Sequence, residues 1–92
     1  MVAGVSIDMT KWDVVEDGNY WVGSFLVGPC IDCEFCDDRR FVSIMPSRFA
    51  RELAIDALLD FMDRLRTGRV PQGMTDPDDL MEVCVSAARR QR

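Results

Sequence analysis

Hydrophobic and polar residues alternate at the start of the chain, with Val5, Ile7 and Met9 interleaved by Ser6, Asp8 and Thr10. A period of two is the pattern of a strand with one buried face. The alternation continues through Trp12 and Val14, so residues 4–16 read as one long strand with an irregularity, or as two. Asp17-Gly18-Asn19 is a hairpin signal, because Gly and Asn tolerate the positive φ that tight turns need. Tyr20 to Val27, rich in aromatic and β-branched residues, predicts a second strand, which Gly28 and Pro29 end. Arg40 to Met45 reads as a third strand. Short connections between the three imply an antiparallel meander.

The period then changes. Pro46 closes the third strand, and Ser47 is a candidate N-cap for a helix over residues 48–66. Ala50, Ala54, Ala57, Leu58, Phe61, Met62 and Leu65 form its apolar stripe. Ile55 and Leu59 widen the stripe to an arc of roughly 200°. So broad an arc needs two neighbours: the sheet, together with a second helix or another chain. Gly68 suits the C-terminal stop. Asp76-Pro77-Asp78-Asp79 opens a second helix over 77–90, with a capping Asp, Pro in the first turn and acids at the positive end of the dipole. Leu80, Val83, Cys84 and Ala87 supply its buried stripe.

The elements predict one small α+β domain over residues 1–92, a three-stranded antiparallel meander followed by two helices packed on one face (β-β-β-α-α). In the second strand Trp21, Gly23, Phe25 and Val27 share one face, and Tyr20, Val22, Ser24 and Leu26 share the other. Both rows carry apolar groups, yet two helices cover only one face. An exposed aromatic patch follows, and Trp21 and Phe25 are its candidate partner-binding residues.

Ninety-two residues with 48% apolar and 29% charged content suit a small core and not a disordered chain. No apolar run is long enough to cross a bilayer. The N-terminus lacks the pattern of a secretory signal, which predicts a cytoplasmic location with reduced thiols. The net charge of −5 argues against nucleic acid and for a partner protein with a basic surface. Residues 1–46 hold eight acids against three bases, while residues 47–92 hold eight of each, so the acidity sits in the strand half.

Cys30, Cys33 and Cys36, in a loop over residues 29–38, carry the sharpest chemistry. Closely spaced thiols bind a metal, form a disulfide or stay reduced. A structural zinc is the first metal reading. The chain has no His, so Cys84 or a carboxylate must supply the fourth ligand. A topology estimate puts Cys84 about 12 Å from the loop end of the molecule, which makes a core thiol its default role. The segment Cys-Ile-Asp-Cys-Glu-Phe-Cys also resembles the cluster loop of bacterial ferredoxins over seven residues. That resemblance implies an iron–sulfur electron carrier or redox sensor. The β-β-β-α-α order differs from that of ferredoxins, which keeps the cluster as the alternative. Nucleophilic chemistry is disfavoured, because Asp32, Glu34, Asp37 and Asp38 oppose thiolate formation.

The meander brings those four acids to the same end as Asp76, Asp78 and Asp79. This acidic pole is either capping acids and a solvated loop, or a docking surface for a basic groove. No spacing singles out a carboxylate pair for acid–base work, and no phosphate-binding glycine loop is present. The expectation is therefore a small acidic non-enzymatic protein–protein interaction module. Small acidic chains of this kind resemble phage- or mobile-element-encoded inhibitors of host complexes. A structural subunit of a larger assembly is a further alternative, as is a homodimer.

Overall fold

The computed structural model describes residues 6–27, 39–74 and 76–91, with only the backbone described at residues 39 and 40. Strands β1 (Ile7–Asp17), β2 (Tyr20–Val27) and β3 (Arg39–Pro46) form one antiparallel sheet in the order β1-β2-β3. Helices α1 (Arg51–Thr67) and α2 (Pro77–Arg90) follow and pack on one face. The arrangement is the expected α+β order.

Both edge strands depart from strict alternation, and each departure re-aims side chains. In β1, Asp8 pairs with Leu26 while Trp12 pairs with Phe25, so three residues of β1 are extra. Thr10 folds this insertion onto Asp8: its N–H and its hydroxyl both donate to Asp8 Oδ1, at 2.9 and 2.6 Å. These bonds hold the Asp8 carboxyl below its ordinary pKa. The odd number of extra residues changes parity. Ile7 faces the helices before it, Trp12 and Val14 face them after it, and Met9 is left outside. In β3, Trp21 pairs with Met45 and Val22 with Ser43, so Ile44 is a bulged residue. The bulge lets Ile44 and Met45, adjacent in sequence, both enter the core.

Helix α1 starts later than Ser47 suggests. Residues 46–49 are committed to a turn, in which Phe49 N–H donates to Pro46 O at 3.2 Å and Ser47 N–H donates to Asn19 O at 2.8 Å. The Trp21 indole N–H donates to Phe49 O at 2.9 Å and fixes the turn against β2. Ala50 therefore takes the N-cap position without a side-chain hydrogen bond. At the other end Gly68 stops the helix in the left-handed conformation at φ 72°. Arg69 N–H returns to Arg64 O there, and the Arg66 and Arg69 guanidiniums both bond to Asp63. Helix α2 begins as its sequence predicts, with the Asp76 carboxylate accepting from Asp78 N–H at 3.0 Å and Pro77 as its first residue.

One core lies between the layers. The sheet contributes Val14, Phe25, Val27, Ile44 and Met45, α1 contributes Ala54, Ala57, Leu58, Phe61 and Met62, and α2 contributes Leu80, Met81, Cys84 and Ala88. The broad apolar arc of α1 is closed from two sides, by the sheet and by α2. Gly23 sets the spacing of the layers. A Cβ there would stand 2.8 Å from Leu58 Cδ1 and from Ile44 Cδ1, well inside van der Waals contact. Arg51, at the start of α1, also covers part of the β1 edge, which has no further strand among the described residues. Its Nε and one terminal nitrogen donate to Val14 O at 3.0 and 2.8 Å, and it pairs with Asp13.

Candidate protein-interaction face

The helices leave the far face of the sheet uncovered, and strand register states which residues line it. Paired residues on adjacent antiparallel strands point to the same side. Tyr20, Val22, Ser24 and Leu26 of β2 form the outer row, with Val15 opposite Val22 and Phe41 opposite Ser24. Phe41 is 72% exposed, and Tyr20 and Val15 are each about half exposed, at 51% and 50%. Val22 and Leu26 between them are half-buried. All three strands thus carry apolar side chains on the outer face, interleaved with Ser24, Ser43 and Asp13.

The face has an acidic border. Asp8, Asp13 and Asp17 of β1 fall on the outer row by register with Leu26, Ser24 and Tyr20. Asp13 and Asp17 are exposed and Asp8 is half-buried, while Glu16, also exposed, pairs with Trp21 and belongs to the other row. Asp13 is held in place through Arg51 at 3.2 Å. A face of this kind fits a partner that combines apolar side chains with a basic rim.

An exposed patch was expected, but its members differ. Phe25, expected to bind a partner, is only 3% exposed, and its ring lies 6.1 Å from that of Phe61 in the core. Trp21, the other expected aromatic, is half-buried on the helix side with its indole N–H spent on Phe49 O. Gly23 explains the inversion. It shares their row, and only a row with a gap for Leu58 lets a helix approach so closely. The expectation overlooked Val15 and Phe41, because the parity changes in β1 and β3 hide which of their residues share the outer face. Gly23 between Trp21 and Phe25 was the available signal.

Cys30, Cys33 and Cys36, with Asp32, Glu34, Asp37 and Asp38, lie outside the described residues. Asp76, Asp78 and Asp79 are exposed at the start of α2. Helix direction places that start. Arg51 at the head of α1 bonds to Val14, Phe61 further along meets Phe25, and Arg89 at the end of α2 lies over Phe49. Helix α2 therefore runs back along α1, and its acidic N-terminus lies toward the end where β2 finishes and β3 begins. Residues 28–38 join those two strands in sequence. Among the described residues no group of three or more Cys, Asp and Glu side chains gathers as a metal site.

Cys84, a candidate fourth metal ligand whose default role is a core thiol, is fully buried between the helices with a free thiol. Burial, reinforced by the negative charge and hydrogen bond of Asp60, pushes the thiol up to about 12. Arg64, which pairs with Asp60 at 3.2 Å, offsets part of this. Its full burial among the apolar residues of the core makes Cys84 a small core hydrophobe. The sign of the linkage is definite. An unfolded thiol ionises near 9.0 and the folded one near 12, so the stability it contributes is complete below 9.0 and is lost as pH rises toward 12. Urea titrations at pH 7 and pH 10 are expected to show a larger loss for the native chain than for Cys84→Ala; parallel losses would refute the assignment.

Neither a protein-family model, nor a curated protein, nor a solved structure matches this chain. The class is set by the fold and the face: a two-layer α+β sandwich with one sheet face uncovered among the described residues. No helix among the described residues is long and apolar enough to cross a membrane.

Proposed function

We propose that this chain is a small acidic protein–protein interaction module that docks its outer sheet face onto a basic surface of another protein. The observation that carries the reading is the set of Phe41, Tyr20 and Val15, uncovered on the face opposite the helices and bordered by the acids of β1. Exposed aromatic side chains beside aliphatic ones are the usual material of binding hot spots. The acids favour a different protein over a second copy, since pairing two such faces would bring β1 acids together in a chain of net charge −5.

Such a face works by occupancy. Covering a basic groove denies it to its ordinary ligand, and on that basis the role we attach to the module is inhibition of a host complex by a phage- or mobile-element-encoded protein. The test compares baits. Wild type, Phe41→Ala and Tyr20→Ala are each used to capture proteins from host lysate, and the proteins retained by wild type are identified and titrated. Truncating a hot-spot aromatic is expected to weaken a true partner roughly 30-fold. Thermal stability of the variants should stay close to wild type, because both side chains are exposed. A partner that binds all three baits equally would exclude this face.

A further inference from the structure

A second surface lies on the helix side, along the outer edge of β3. Residues 43–46 of β3, the turn that follows and one stripe of α2 enclose an open groove of about 570 Å³. Asp78, Glu82, Val85 and Arg89 recur along α2 at helical spacing and face this groove together. Met45 and Met81 form an apolar base between the strand and the helix.

The charges in the groove are sorted by position. At one end Arg48 and Arg89 flank the Phe49 ring, with guanidinium carbons 4.9 and 5.0 Å from its centroid. Neither has a carboxylate partner among the described residues. Two uncompensated guanidiniums over one ring are a notable arrangement in a chain of net charge −5. At the other end Asp78 and Glu82 are exposed on α2, also without an ion pair among the described residues. The groove therefore has a cationic end, an apolar middle and an anionic end.

The geometry points to an extended peptide segment of a partner protein as the occupant, carrying an acidic residue for Arg48 and Arg89 and a basic residue for Glu82. The wall of the groove favours an extended chain. β3 has no strand on its outer side among the described residues, so main-chain groups along that edge are available to one. The bulge at Ile44 interrupts that edge and leaves side-chain complementarity as the larger source of selectivity. The spacing is fixed by α2. Glu82 and Arg89 are seven residues apart, about 10 Å along a helix, which an extended chain spans in about three residues. Side chains of an extended chain alternate, so the two that enter the groove sit an even number of positions apart: the ligand reads acid and base two or four positions apart. This site is independent of the outer sheet face.

The test is selection of displayed random 12-residue peptides on the intact chain, followed by anisotropy titration of one enriched synthetic peptide. Enrichment of an acid and a Lys or Arg two or four positions apart is expected. Binding of that peptide should fall tenfold or more with Arg89→Glu and with Arg48→Glu, each checked for an unchanged melting temperature. Replacing the peptide's acid by Lys should restore binding to the Arg89→Glu chain. Three results would overturn the proposal: no enrichment, enrichment at the seven-residue spacing of a helical ligand, or affinity unchanged by both Arg variants and by Glu82→Lys.

Discussion

Gly23→Val is expected to be among the most damaging single substitutions in this chain, although Val is the better strand former. The backbone at Gly23 is ordinary strand, so the effect comes from space. A Cβ at residue 23 meets both methyl groups of Leu58 and the end of Ile44 at 2.8 to 2.9 Å. Those atoms are side-chain tips, and on a surface they would swing aside. Here Leu58 is fully buried and Ile44 nearly so, in a layer closed by α1. Overpacking of this kind costs about 1–3 kcal/mol for an added methyl, and Val should lie at or beyond the upper end. Urea denaturation of Gly23→Ala and Gly23→Val reads the cost directly. The cause can be isolated, because in a Leu58→Ala background the Gly23→Ala penalty should shrink or vanish. An undiminished penalty in that background would show that the layers are not spaced by this contact.

Phe61→Ala should be comparably severe for the opposite reason. Phe61 is 2% exposed, and its ring lies 6.1 Å from Phe25 at an interplanar angle of 57°. Truncation removes a large buried apolar surface and leaves a cavity that Ala57 and Met62 beside it cannot fill, a loss of about 3–5 kcal/mol. A domain of this size has a total stability of about 5–10 kcal/mol, so the variant should lose about a third or more of it and unfold at a markedly lower urea concentration. Phe25→Ala should cost a similar amount. The double variant should fall short of the sum by about 0.5–1.5 kcal/mol, the coupling of a tilted aromatic pair. Full additivity in denaturation measurements would contradict the packing described.

The sequence made much of this fold legible because its signals were local. The Gly18 turn, the Gly68 stop and the Asp76-Pro77 start each depend on a few adjacent residues, and each stands where the sequence places it. The start of α1 was missed by three residues because contacts distant in sequence decide it: Asn19 and Trp21 hold Ser47 and Phe49 in a turn. The uncovered sheet face was legible as an inevitability and not as a residue list. Two helices cannot cover two sheet faces, but the parity of β1 is set by the Asp8–Thr10 insertion and that of β3 by Ile44. Neither irregularity leaves a signature strong enough to place from spacing alone. Phe25 was consequently assigned outward and Phe41 overlooked, a reversal that Gly23 could have prevented.

The most direct measurement of the central claim is the dissociation constant of an identified partner for four chains: wild type, Phe41→Ala, Tyr20→Ala and Arg89→Glu. The outer face predicts losses of roughly 30-fold for the two aromatic truncations. It predicts little change for Arg89→Glu, which lies on the helix side. Affinities that fall only with Arg89→Glu, or with none of the three, would contradict the claim that this protein acts through the uncovered face of its sheet.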